Sequence, residues 1–205
     1  ALDELALLEP LPVGKGMASS TADVGGAIWA TAHALGVRLS PLEVARIALS
    51  IEPTDGSLFP NIALYDHRQG IVYEDLGMPP PVEILVLDFG GTVDTIEFNR
   101  EDRRALLKEM EPEISQAAAL VREGIVRQDA ALIGEGATIS ARCNQRILSK
   151  PHLDRVMQIA RENGAEGVNI AHSGTVIGIL LDPGKKKAHE LIVEATRKLP
   201  GLVRI

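Results

Sequence analysis

Residues 167–181 read GVNIAHSGTVIGILL, two apolar runs on either side of a small polar turn. Short apolar runs bounded by turn residues read as strands, here Gly167–Ala171 and Thr175–Leu181, with His172-Ser173-Gly174 reversing the chain. Downstream, Lys185–Leu199 reads as a helix and Leu202–Ile205 as a last strand. Upstream lie a helix that begins at Pro151 and ends before Gly164, helical stretches at about Glu101–Glu123 and Asp129–Leu148, and a buried strand at Val82–Leu87. Strand, helices, strand, strand, helix, strand is the split βαβ order of a ferredoxin-like sheet, with extra helices in the first crossover. Pro79-Pro80-Pro81 stands just before this run and reads as a linker.

Ahead of the linker the pattern is different. The chain starts at Ala1 with the apolar-rich ALDELALLE, and Pro10-Leu11-Pro12-Val13-Gly14-Lys15-Gly16 follows as a loop dense in breakers. Ser20 with Asp23 three positions on is a helix-start pair, and Gly36 is a fitting stop. The stretch between is nearly free of charge, which predicts a helix buried on most sides with Trp29 in the core. Ser40-Pro41-Leu42-Glu43 opens a second helix running to about Ile51, because Ser caps and Pro suits the first helical position. Glu52-Pro53-Thr54-Asp55-Gly56 then turns the chain, and Asn61–Tyr65 and Gly70–Glu74 read as a hairpin joined by residues 66–69.

Composition narrows the function. A chain of 205 residues with 45% hydrophobic and 24% charged residues is an ordinary globular protein. A net charge of -7 and only 3% aromatic residues argue against nucleic acid as a partner. Cys143 is the single cysteine, so no disulfide framework exists and a reducing, cytoplasmic compartment is expected. The five histidines form no HExxH, and no apolar run or signal peptide points to a membrane.

Three local motifs carry chemistry. In Pro12-Val13-Gly14-Lys15-Gly16-Met17-Ala18-Ser19-Ser20-Thr21-Ala22, glycines let backbone N–H groups approach an anion, and the helix behind presents its own free N–H groups. Ser19, Ser20 and Thr21 can bond phosphate or reach a cation, and Lys15 adds a point charge; a plain capped helix after a loop fits the same letters. It is neither a Walker A loop nor a dinucleotide fingerprint, since Gly16 follows Lys15 and Ser19 holds the third glycine position. Glu52 and Asp55 flank a proline turn, where one carboxylate can bind a metal and the other serve a substrate hydroxyl, or both can be turn chemistry. Ser173-Gly174-Thr175 can touch a phosphate or simply close a hairpin. Asp88-Phe89-Gly90 spells a protein-kinase tripeptide, but no HRDxxxxN precedes it and it carries no weight as such.

In this order the three motifs resemble the GHMP small-molecule kinases. PVGKGMASSTA is similar to that family's second motif, commonly a proline followed by Gly-Leu-Gly-Ser-Ser-Ala, with Met17 in place of Leu and Ala18 in place of Gly. The resemblance implies an α+β, two-lobed fold: residues 1–78 a ribosomal protein S5 domain 2-like lobe, and residues 82–205 a ferredoxin-like lobe. It also implies a first motif on an earlier strand. Nothing before Pro10 matches that motif, so the first lobe is expected to be incomplete. ATP phosphates would be bound by Gly14, Lys15, Gly16, Met17, Ala18, Ser19, Ser20 and Thr21, and Mg²⁺ by Ser20 and Glu52. Asp55 would be the catalytic residue at the acceptor hydroxyl, and Ser173, Gly174 and Thr175 would border the substrate. GKGMASSTADV, IEPTDGSLFPNIALYDHRQG and NIAHSGTVIGILLD look most like members acting on L-threonine for cobalamin synthesis, the alternatives being a member acting on homoserine or another small alcohol, or a catalytically incomplete fragment.

Overall fold

The computed structural model describes residues 6–8, 10–94, 98 and 100–205; most of the opening ALDELALLE lies outside them. Two compact units result, Ala1–Val13 with Met17–Met78, and Gly14–Gly16 with Pro79–Ile205. The tripeptide Gly14–Gly16 therefore belongs with the second unit although it precedes most of the first in sequence.

In the first unit, α1 spans Ser19–Ala34 and α2 spans Pro41–Leu49. The start of α1 differs from expectation: it begins at Ser19 with Ala18 in the left-handed region at φ 58, and no side chain caps it. Its end follows the sequence. Gly36 takes φ +69, its N–H reaches the His33 carbonyl, and the Val37 N–H reaches that of Ala32, a Schellman closure. Ser40 caps α2 in a full capping box with Glu43, whose carboxylate returns to the Ser40 N–H. That contact and the Ser40 hydroxyl hold the Glu43 pKa below the ordinary carboxylate value.

Helix α1 is less buried than its composition suggests. Thr21, Gly25 and Ala32 face inward toward α2 and the short turn Gly56–Leu58, while Trp29 stays 39% exposed. Lack of charge followed from small residues needed on one narrow face, not from cover on all sides. A Cβ at Gly25 would meet the tip of the Leu58 side chain, which would have to turn aside to admit it.

The hairpin pairs β1, Ile62–Tyr65, with β2, Tyr73–Gly77, antiparallel with Tyr65 opposite Tyr73. The second strand starts three residues later than predicted. Asp66 accepts hydrogen bonds from the Arg68, Gln69 and Ile71 N–H groups and folds those residues into the turn. Phe59 packs between Tyr65 and Tyr73, at ring distances of 5.0 and 4.6 Å.

The second unit carries the ferredoxin-like order. β3 (Glu83–Leu87), β4 (Gly167–Ile170) and β5 (Ile177–Leu181) form an antiparallel sheet in the order β3-β5-β4. The expected last strand is reduced to one bridge, Arg204 opposite Asp88, on the free side of β3. The predicted helix over 101–123 is split into α3, Arg104–Glu109, and α4, Glu111–Arg127. Pro112 lacks the N–H that would continue the ladder, so the break falls at Met110. α5 (Ala130–Asn144), α6 (Leu153–Glu162) and α7 (Lys186–Arg197) complete the unit. Leu87, Leu153, Val156, Val168, Ile177, Ile179 and Ile192 form its core.

Two glycines set the distance between helix and sheet. Any Cβ at Gly134 of α5 would fall on the Glu166 backbone, and any Cβ at Gly167 of β4 on Gly134. The close approach also lets Thr138 donate to the Gly134 carbonyl and accept from the Val168 N–H at 2.9 Å. Gly134→Ala must push α5 off the sheet, and we expect a loss of about 3 kcal/mol in denaturant unfolding.

Candidate functional site

Each unit holds part of the predicted site. In the second, Gly14 (φ +71) and Gly16 (φ +77) bend the loop in conformations that suit glycine. The Gly14 carbonyl accepts the Val93 N–H and the Lys15 carbonyl accepts the Thr175 N–H at 3.0 Å. Gly16 lies directly on Gly174: a Cβ on Gly174 would meet the Lys15 backbone, and one on Gly16 would come within 2.5 Å of Ala171. The structure thus brings the loop and the Ser173-Gly174-Thr175 turn together, backbone on backbone.

The Lys15 side chain does not stand free. Its Nζ is 2.8 Å from Asp88 Oδ1, which also accepts the Gly90 N–H at 2.8 Å. Burial raises the Asp88 pKa, but the Lys15 and Gly90 hydrogen bonds outweigh it and the net shift is downward. Asp88-Phe89-Gly90 therefore has a structural role, in which the acid holds Lys15 and Phe89 stacks on His152 at 4.3 Å.

In the first unit, the left-handed Ala18 followed by helical Ser19 turns successive N–H groups toward one side, a geometry that suits an anion. Ser20 donates its hydroxyl proton to Glu52, joining residues 32 apart in sequence. The turn carrying Glu52 is fixed by Thr54, which is fully buried. Its hydroxyl donates to the Glu52 carbonyl at 3.0 Å and its N–H to the His67 carbonyl. Asp55 is exposed; its Oδ1 accepts the Ser57 N–H at 2.9 Å, and its own N–H reaches Thr21 Oγ1 at 3.4 Å. The turn-chemistry reading of Asp55 is thus realised, with Oδ2 still available to a ligand.

Ser20 and Glu52 are hard oxygen donors, the chemistry Mg²⁺ takes when phosphate and water supply its other ligands. They fit that ion. Among the described residues, no group of three or more His, Cys, Asp or Glu side chains forms a protein-only metal cage.

A buried polar cluster lies around the 172–175 turn; Thr175 belongs to a sequence motif, while Asn144 and Lys150 do not. Asn144 Oδ1, Lys150 Nζ and Thr175 Oγ1 are shut off from solvent with no hydrogen-bond partner among the described residues. Asn144 Nδ2 donates to the His172 carbonyl at 3.4 Å, and Gln145 clasps the Lys150 backbone from both sides. Burial pushes the Lys150 pKa down to about 8. His172 Nε2 is 2.9 Å from Ser140 Oγ. Crowding of the ring, then the Lys150 charge, lower its pKa although its outer edge is open to water. Burial cannot be read from letters, and a lysine before Pro151 looks like any surface lysine.

The lowered lysine sets a pH dependence. Below about pH 8 both folded and unfolded chains carry the proton, and the folded state bears the full cost of the buried charge. Between about 8 and the ordinary 10.5 the folded state releases it first, so stability rises with pH. The gain is on the order of 3 kcal/mol. Urea titrations across that range should show the rise in the parent and not in Lys150→Met, which should be the more stable protein at pH 7.

The chain is similar to known proteins over most of its length. The GHMP kinases N terminal domain matches residues 4–59, and the GHMP kinases C terminal region matches 121–199. An L-threonine kinase of Salmonella typhimurium is 38% identical over 88% of this chain, and one of Citrobacter freundii is 36% identical over 84%. This chain spans 59% and 60% of the length of those curated relatives. Among solved structures, a mevalonate kinase of L. major superposes with TM-score 0.72 at 17% identity, over 95% of this chain and 66% of that one. A homoserine kinase of Cytophaga hutchinsonii gives TM-score 0.65 at 19% identity, over 92% and 64%. Loop, acidic turn and Ser-Gly-Thr turn stand where matches to both halves of one family cover them, and the chain belongs to the GHMP kinases.

Proposed function

We propose that this protein transfers the γ-phosphoryl group of ATP to the hydroxyl of L-threonine, giving O-phospho-L-threonine for cobalamin synthesis. The observation that carries the reading is the Ser20–Glu52 pair at the head of the α1 loop, in a chain 38% identical to an L-threonine kinase. The likeness to homoserine kinase in fold supports homoserine as the second candidate acceptor. No helix among the described residues is long and apolar enough to cross a membrane, which accords with a reaction in the cytoplasm.

Phosphoryl transfer asks the protein mainly for position and for relief of negative charge. Gly14, Lys15, Gly16, Met17, Ala18, Ser19, Ser20 and Thr21 would line the phosphates through backbone N–H groups and hydroxyls, with the dipole of α1 behind them. Since Lys15 is held by Asp88, its part is to brace the loop more than to supply a mobile charge. Ser20 and Glu52 would hold Mg²⁺, which neutralises phosphate charge when bound. Glu52 would then exchange its hydrogen bond from Ser20 for the metal. Asp55 would orient the acceptor hydroxyl through Oδ2 and take its proton as the oxygen attacks phosphorus. Ser173, Gly174 and Thr175 would buttress the loop and border the acceptor.

Substitutions separate these roles. Asp55→Ala should lower kcat by a factor of about 10² to 10⁴ with ATP affinity little changed. Equal turnover in that variant would remove Asp55 from the reaction. Ser20→Ala should raise the Mg²⁺ concentration needed for half-maximal rate, and an unmoved metal dependence would exclude the hydroxyl as a ligand.

A further inference from the structure

In the polar cluster around the 172–175 turn, Asn144 and Lys150 have no part in the phosphate chemistry, and Thr175 enters it only as a brace for the loop through its N–H. The cluster's three unpartnered atoms are of two kinds. Lys150 Nζ and Thr175 Oγ1 can donate hydrogen bonds, while Asn144 Oδ1 can only accept. The orientation of the Asn144 amide is set by its donation to the His172 carbonyl, which leaves the oxygen as the unpaired end. Thr175 is held by its own N–H on the Lys15 carbonyl, and Lys150 by the double clasp of Gln145. Each of the three is thus anchored while its remaining polar tip has no hydrogen-bond partner among the described residues.

Buried polar atoms normally find partners, and a shielded ammonium without one is costly to keep. Apolar residues of similar volume would serve packing better. Asn144 bonds the His172 carbonyl, the Lys150 charge is felt at His172, and Thr175 closes the same turn. A cation, a hydroxyl and an acceptor gathered at one turn match a zwitterion: the first two suit a carboxylate, the third an ammonium. We propose that Lys150, Thr175 and Asn144 form the site for the α-amino acid end of the acceptor, Lys150 and Thr175 holding its carboxylate and Asn144 Oδ1 its ammonium. The inference rests on the kinase reading above and names the feature that makes an amino acid, and not a simple alcohol, the acceptor. The three tips are closed off from solvent here, so substrate entry must open the site.

The test titrates the full chain, as parent, Lys150→Met and Thr175→Val, with four probes in a calorimeter. They are L-threonine, 1-amino-2-propanol (threonine without its carboxylate), 3-hydroxybutanoate (threonine without its ammonium) and inorganic phosphate. The parent should bind L-threonine at least tenfold more tightly than either half-molecule. Lys150→Met should weaken L-threonine at least 30-fold and 1-amino-2-propanol by less than threefold; Thr175→Val should weaken L-threonine several-fold. In turnover, Lys150→Met should raise KM for L-threonine without raising KM for ATP.

Unchanged L-threonine affinity in a folded Lys150→Met protein would overturn the inference and assign the orphan atoms to internal water. Loss of phosphate or ATP affinity instead would make the cluster a phosphate site and overturn it equally. The two readings fail separately. Threonine-dependent turnover with Lys150→Met unaffected sinks the amino acid site alone. Lys150-dependent binding of L-threonine without any ADP release sinks the kinase reading alone, and a neutral alcohol preferred over every amino acid sinks both.

Discussion

The contact between Gly16 and Gly174 governs what the rest of this structure can do. Backbone lies on backbone there, too close for any Cβ, and the hydrogen bond from the Thr175 N–H to the Lys15 carbonyl lies beside it. A loop rich in glycine would otherwise sample many shapes, and ordering it on a ligand would cost conformational entropy. Here the sheet hairpin does the ordering in advance. β4 and β5 are held by the core, the turn between them is fixed, and the turn fixes the loop. Lys15 on Asp88 and Gly14 on Val93 complete the bracing.

A preorganised loop would matter for the proposed phosphoryl transfer because so little of that reaction is covalent work by the protein. Amide donors already in place need no reorganisation when charge builds on the transferring group. The same logic applies to the acidic turn. Thr54 is buried and bonded through both its hydroxyl and its N–H, so Glu52 and Asp55 project from a fixed base. A turn or loop held on a fixed base recurs in both units, each within its own packing.

Much of the fold was legible because its signals are local. Strand, turn and strand over 167–181, the Ser40 capping box and the Gly36 stop each rest on a few adjacent residues, and each was found near its predicted place. Errors came where the outcome depends on distant partners. Helix α1 was expected to be covered on most sides, but burial of Thr21, Gly25 and Ala32 leaves Trp29 partly in solvent. Pro112 split a helix that apolar spacing alone had joined. In the site, Gly14 to Thr21 stood out by composition, and Glu52 and Asp55 by resemblance. The Lys15–Asp88 pair spans 73 positions and left no trace in the sequence. Lys150 was invisible for the same reason: its meaning lies in its burial.

The most direct measurement is ADP release from Mg²⁺-ATP by the purified chain, with L-threonine, homoserine, serine or no acceptor. Release should depend on L-threonine and exceed that with the other two, with O-phospho-L-threonine as the product. Release with homoserine in preference would keep the family and contradict the assigned acceptor. Absence of release with every acceptor would contradict the proposal that this chain is a working kinase.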